Sequence, residues 1–427
     1  MGSIRCVHNG NTHCQFLEKG FVNELTKFGD EEYCIFHLPT QDKDVDEFNI
    51  QLKQWVERDS ETIDLSGVYF PVDFKSQGFF GKTIEKRINF ERATFSEVAD
   101  FKESTFKGYA TFKESTFEGN ADFRSSIFLD GASFWGSTFK GDAFFMNSSF
   151  KGDAYFLGAT FEDYADFSRS TFEDYANFME SDFLGDAFFM KSSFLDKAFF
   201  NSSTFEGDAD FIGSSFSGIA TFKESTFEGN ADFRWSTFEG EATFKNSIFK
   251  GVASFGGSTF KGYATFKEST FEGNADFRSS IFSGNADFIK SSFSGNVYFI
   301  KSSFSGIADF SDSTFSGDAF FNSSTFSGTP YFLGATFEGK ADFRSSIFLD
   351  GADFSDSTFS GNVCFINSSF SGIATFKDST FEGDANFMDS SFSGYATFWE
   401  SIFLKEPNLT GTTLKAVQTK NETWSIE

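Results

Sequence analysis

The sequence predicts an all-β solenoid, a parallel β-helix of about 22 residues per coil. Three observations carry that prediction. Phe recurs on a step that alternates between five and six residues, the residue two before each Phe is small, and near-identical segments return at multiples of 22. One Phe series runs by elevens from Phe95 to Phe403, the other from Phe90 to Phe398, and neither misses a member. A period this strict means that each short unit buries its apolar residue only against its neighbours.

The unit Ser115-Thr116-Phe117-Glu118-Gly119-Asn120-Ala121-Asp122-Phe123 shows how the repeat becomes a fold. Residues two apart on a strand face the same side. Ser115 and Phe117 therefore point inward, as do Ala121 and Phe123, while Thr116 and Asp122 point out. The small residue leaves room for the ring beside it. The extra residue of the six-step follows Gly119, as it follows Gly108, Gly141, Gly152 and Gly229. Gly accepts positive φ, so these corners are expected to hold a bulge in the left-handed region, with Asp130, Asp163, Asp174 and Asp196 taking the same place. Phe112-Lys-Glu-Ser-Thr-Phe117 returns at Phe222 and Phe266, so two 11-residue units make one coil and four Phe columns fill the interior.

The inward pair of small residue and aromatic centre, as in Ala121-Asp122-Phe123-Arg124-Ser125, resembles the pentapeptide repeat family over roughly residues 65–414. The resemblance implies a right-handed quadrilateral parallel β-helix. Two features depart from the family's pattern: every second step is six rather than five, and the central residue is Phe rather than Leu.

A solenoid needs caps, because its end coils expose apolar edges and unpaired strand groups. Leu65, Phe70, Phe79 and Ile84 approximate the repeat with broken spacing. Before them, residues 42–64 hold a linker and a helix from Asp44 to Glu57. Asp44 and Glu47 form its capping box, and Val45, Phe48, Leu52, Trp55 and Val56 form its apolar face. At the far end Leu409 and Leu414 continue the step with Leu, and the tail 415–427, with Trp424, reads as a second lid.

Residues 1–41 form a separate small module. All three His and three of the four Cys lie between Cys6 and His37, whereas Cys364 stands alone. Thiolate and imidazole at short spacing suit tetrahedral zinc. The ligand set read from the sequence is Cys6, Cys14, Cys34 and His37, with His8 or His13 as substitutes. It resembles small Cys-Cys-Cys-His zinc modules that end in Tyr-Cys-x-x-His. Four closed ligands imply a structural zinc; the other reading is a metal-free set of buried thiols.

The chain carries 62 acidic and 35 basic residues, a net charge of −27. Such a body repels nucleic acid and anionic membranes; where charge selects its partners they are basic, and the other reading of the charge is that it keeps a long β-structure soluble. The start lacks an apolar leader and no run spans a bilayer, so a cytoplasmic home is expected. No phosphate-binding loop, dinucleotide fingerprint or nucleophile elbow is present, and the repeats contain no His, which excludes a Ser-His-Asp triad there. Acids align in columns on one side: Glu118 with Asp122, Glu162 with Asp166, Glu206 with Asp210, Glu228 with Asp232, Glu272 with Asp276, and Glu338 with Asp342. Arg124, Arg234, Arg278 and Arg344 lie close by and blunt the stripe. The sequence therefore points to a non-catalytic binding or scaffold protein that presents this stripe to a basic or DNA-binding protein. The family resemblance adds an alternative: mimicry of duplex DNA against an enzyme such as a topoisomerase.

Overall fold

The computed structural model describes residues 14–418, with the exception of 23, 29, 30 and 42. The chain divides into two compact units, Met1–Asp196 and Lys197–Glu427. Both are parallel β-solenoids built from two-residue strands.

In the first unit one coil contributes Thr105–Phe106, Ala110–Thr111, Thr116–Phe117 and Ala121–Asp122. Each pairs in parallel with its counterpart in the next coil, so that Phe106 meets Phe128, Ala110 meets Ala132, Phe117 meets Phe139 and Ala121 meets Ala143. The second unit repeats the arrangement: Phe238 meets Phe260 and Ala242 meets Ala264. Four strands per coil give the four faces that the doubled repeat requires.

Both Phe series lie inside, and every member from Phe90 to Phe392 is at most 3% exposed. Rings at the same place in successive coils stack in parallel: Phe95 on Phe117 at 4.8 Å and 4°, Phe101 on Phe123 at 4.8 Å and 1°. Successive rings of the 90-series meet edge to face, as Phe112 and Phe123 do at 5.3 Å and 85°. Stacked and T-shaped pairs are the two arrangements that the ring quadrupole favours, and each ring removes on the order of 150–250 Å² from water.

The small inward residues do more than make room. Ser115 Oγ donates to the Phe90 carbonyl at 2.6 Å, and Ser126 Oγ to that of Phe101 at 2.7 Å. The same bond recurs in the second unit, for example from Ser247 to Phe222 at 2.6 Å and from Ser280 to Phe255 at 2.7 Å. Each carbonyl already accepts a backbone N–H, Ala93 N to Phe90 at 2.9 Å and Ser104 N to Phe101 at 3.2 Å, so the hydroxyl takes the second lone pair and satisfies its own buried donor.

The corners differ from the expectation. The left-handed residue lies in the five-step, two after each 90-series Phe, at Glu114 (φ 56°), Ser125 (58°) and Trp235 (57°). Gly108, Gly119, Gly141, Gly152 and Gly229 are absent from that region. Their reason is steric. A Cβ on Gly119 would lie 2.8 Å from the Glu97 carbonyl carbon one coil away, and one on Gly108 would lie 2.7 Å from the Arg87 nitrogen. At these glycines consecutive coils approach too closely for a side chain, whereas Asp130, Asp163, Asp174 and Asp196 hold the equivalent place with a side chain and also lie outside the left-handed region.

The N-terminal end is built differently. Helix α1 is Gln15–Glu18 and helix α2 is Val45–Val56. Asp44 caps α2, its carboxylate accepting from Glu47 N at 3.0 Å, while Glu47 accepts from Gln51 one turn on. Phe48, Leu52, Trp55 and Val56 are buried as the apolar face requires. Trp55 Nε1 donates to the Asp64 carbonyl at 2.9 Å, and Phe48 meets Phe70 edge to face at 5.9 Å, so α2 covers the first coil. The broken spacing has a simple cause. Ile84 pairs with Phe106 at the regular interval, whereas Phe70 with Phe95 and Phe74 with Ala99 are paired across a longer stretch of chain. The extra length is taken up by helix α3, Ser76–Phe80. At the other end Leu414 pairs with Phe392, continuing the step with Leu as expected. Trp424 lies outside the described residues.

Candidate functional site

Cys14 at the start of α1 and the turn Cys34–His37 bring three ligand atoms together. Cys14 Sγ lies 3.7 Å from Cys34 Sγ and 3.6 Å from His37 Nδ1, and Cys34 Sγ lies 3.4 Å from the same nitrogen. All three side chains are buried. Zinc bonds of about 2.3 Å to sulfur and about 2.0–2.1 Å to nitrogen set tetrahedral edges of about 3.8 Å (S to S) and about 3.6 Å (S to N). The observed triangle fits that face of a tetrahedron, and the sulfurs are too far apart for a disulfide. His37 Nε2 faces the Ser66 carbonyl oxygen at 3.3 Å. That places the ring proton on Nε2 and aims the Nδ1 lone pair at the sulfurs, the usual support for a ligating imidazole. Of the sequence-derived ligands, Cys14, Cys34 and His37 meet; Cys6, His8 and His13 lie outside the described residues.

Lys43 packs beside this turn. Its Nζ donates to the carbonyls of Ile35 at 2.9 Å, Phe36 at 3.4 Å and Tyr69 at 2.7 Å. Burial drives its pKa down to about 7, with negative charge on Cys34 acting in the opposite sense. Sequence reading missed Lys43, because a single Lys before a helix carries no signal of burial.

The acidic columns fall into register as the repeating coil requires. In the first unit Asp100, Asp122, Phe144, Asp166 and Phe188 follow one another across paired strands. In the second unit the column runs Asp210, Asp232, Ser254, Asp276, Tyr298, Phe320, Asp342. Their outward direction holds, yet these Asp are far from a bare stripe. Asp122 is 9% exposed, Asp166 7% and Asp342 0%. Aromatic neighbours and basic partners cover them. Arg124 Nη2 reaches Asp122 at 2.5 Å, Arg234 reaches Asp232 at 2.6 Å, Arg278 reaches Asp276 at 2.5 Å and Arg344 reaches Asp342 at 2.6 Å.

Each Asp also closes its own turn, accepting from the backbone N–H two residues on. Arg124 N donates to Asp122 at 3.0 Å, Ser168 N to Asp166 at 2.8 Å and Ile212 N to Asp210 at 2.8 Å. Thr and Asn at the equivalent place do the same: Thr111 accepts from Lys113 N and Asn177 from Met179 N. The signal was present in the sequence, since the slot after inward Ala often holds Asp, Asn, Thr or Ser, the residues that close such turns.

Opposite shifts follow within the column. Burial raises the Asp210 pKa above its ordinary value, against the Ile212 N–H. At Asp342 burial also pushes up, but hydrogen bonds from Arg344 and Lys340 outweigh it and hold the carboxyl below its ordinary value.

The Glu column differs. Glu118, Glu162, Glu206, Glu228, Glu272 and Glu338 are all exposed. Glu118 pairs with Lys140 at 2.8 Å and Glu228 with Lys250 at 2.7 Å, each one coil on. Exposed pairs of this kind contribute little to stability and leave the carboxylates open to solvent and partners.

Within each unit, stacked two-residue strands on four faces enclose columns of Phe flanked by Ala and Ser, which defines a parallel β-solenoid, and a helix and a Cys/His turn cap the first unit. Within that class the chain belongs to the pentapeptide repeat family: the family's sequence pattern, described as pentapeptide repeats in nine copies, matches overlapping stretches from 83–127 to 365–413 that leave no gap between them. No curated protein and no solved structure matches the chain.

Proposed function

We propose that the chain is a non-catalytic scaffold whose coils present exposed Glu carboxylates to a cationic protein partner, and that Cys14, Cys34 and His37 hold a structural zinc together with Cys6. The observation that carries the first part is the exposure of Glu118, Glu162, Glu206, Glu228, Glu272 and Glu338 beside Asp side chains engaged in turns and ion pairs. Membership of a solenoid repeat family fits a binding role. A regular surface repeated every coil suits an extended partner, and long-range attraction to cationic groups would speed encounter.

The test is affinity capture from the native lysate with wild-type chain and with a chain in which those six Glu are Gln. A partner captured by the first and lost by the second supports the reading. Equal capture by both overturns it. A topoisomerase among the Glu-dependent partners would favour mimicry of duplex DNA, the alternative that the family resemblance suggests.

A further inference from the structure

We propose that the metal-bound turn Cys34–His37 substitutes for a preceding coil, so that filling the metal site sets the register of the first coil. This rests on the zinc reading above.

Strands of the Phe95 series send their N–H groups back to the preceding coil. Thr116 N donates to the Ala93 carbonyl at 2.9 Å, and Thr94 N to that of Val68 at 2.9 Å. The strand Tyr69–Phe70 belongs to the first coil. Tyr69 N donates instead to the carbonyl of Phe36 at 2.9 Å. Phe36 sits between two candidate ligands in sequence, so the carbonyl that replaces a missing coil is held by the metal turn.

Three further contacts fix the same junction. His37 Nε2 faces Ser66 O at 3.3 Å, and Gln15, next to Cys14, donates to Ser66 O at 3.1 Å. Lys43 ties Ile35 and Phe36 to Tyr69. The aromatic core continues through the junction: Phe95 stacks on Phe70 at 4.6 Å, Phe70 meets Phe48 at 5.9 Å, Phe48 meets Phe36 at 5.7 Å and Phe36 stacks on Phe16 at 4.2 Å. Phe16 lies two residues after Cys14. A metal drawing Cys14, Cys34 and His37 together therefore fixes both the last two rings of the column and the first hydrogen-bond acceptor. Because coils contact only their neighbours, loss of the metal opens the first coil and leaves distant coils closed.

The test is amide exchange on the full-length chain under reducing conditions, before and after chelation, with metal content measured by elemental analysis. About one zinc per chain is expected, and chelation should speed exchange of the amides of residues 65–74 by about tenfold or more while residues 123–150 stay unchanged. Lys43→Met should keep the zinc and still speed exchange at 65–74. A reduced wild-type chain without metal overturns the zinc reading. A chain that binds zinc, yet exchanges identically at 65–74 with and without it, overturns this inference alone.

Discussion

The capping module and the coils solve the same problem by opposite means. In the coils contacts recur: the Ser115–Phe90 bond and the Phe117–Phe139 stack are made again one coil later, and the Asp122 turn has copies at Asp100 and Asp166. In the module, among the described residues, these contacts do not repeat: one His37 over one Ser66, one Lys43 bridging Phe36 and Tyr69. That contrast decides where failure is tolerated. A coil that loses one bond keeps its neighbours, whereas the module has no second copy of these contacts.

The largest effect should come from breaking the coil interior. Phe233 stacks on Phe211 at 4.7 Å and Phe255 at 5.0 Å, with no exposure. Phe233→Asp places a charge among rings and should cost roughly 4 kcal/mol or more. Thr243→Asp, on the outward side where Asp287 closes its own turn, should change stability by less than about 0.5 kcal/mol. Melting of the two variants checks the pair.

The next effect lies at the module. Cys34→Ser should abolish zinc binding, measured by elemental analysis, while circular dichroism of the coils stays as in wild type. Loss of the whole strand signal would show that coils depend on their cap.

These two regions were not equally legible. The Phe period gave the coil length, the inward pairs and the face of each column, because one residue type repeated in register leaves no other packing. The same period misled at the corners. Gly119 reads as a torsional residue, but its role is the close approach of Glu97, a contact between coils that no local pattern reports. Cys14, Cys34 and His37 were legible from chemistry, since few other uses gather those residues. Lys43 and the carbonyl of Phe36 were not, because their role depends on where the first coil begins. The Arg partners of the Asp stripe were legible, since Arg124, Arg234, Arg278 and Arg344 lie two residues on; the turn bonds add to them and make the stripe mostly local structure.

A smaller effect tests the serine ladder. Ser247→Ala removes one of two donors to the Phe222 carbonyl, which keeps Ser225 N, and should cost about 1 kcal/mol, read as a lowered denaturant midpoint. Ala159 and Ala335, natural Ala in this slot, show that the loss is tolerated singly.

Smaller still is the contrast between Asp342 and Asp210. The Asp342 pKa is depressed on folding, so its contribution is present above about pH 3.9 and disappears as pH falls through the folded value. Asp210 is raised, so its contribution is present below about pH 3.9 and disappears as pH rises through the folded value. At pH 7, Asp342→Asn should lower stability by up to about 1 kcal/mol, discounted because Arg344 is half exposed. Asp210→Asn should not lower it. Denaturation at pH 7 and pH 3 distinguishes the two.

The coils act, in this proposal, through their exposed Glu and not through charge in general. The most direct measurement compares two four-residue variants binding a fluorescent oligolysine peptide across ionic strength: Glu206, Glu228, Glu272 and Glu338 to Gln, against Asp210, Asp232, Asp276 and Asp342 to Asn. Both remove four negative charges. The Glu variant should bind more weakly, with a flattened salt dependence and an unchanged melting temperature, while the Asp variant should melt lower and keep more of its binding. Equal losses of binding in the two variants would refute the assignment to Glu.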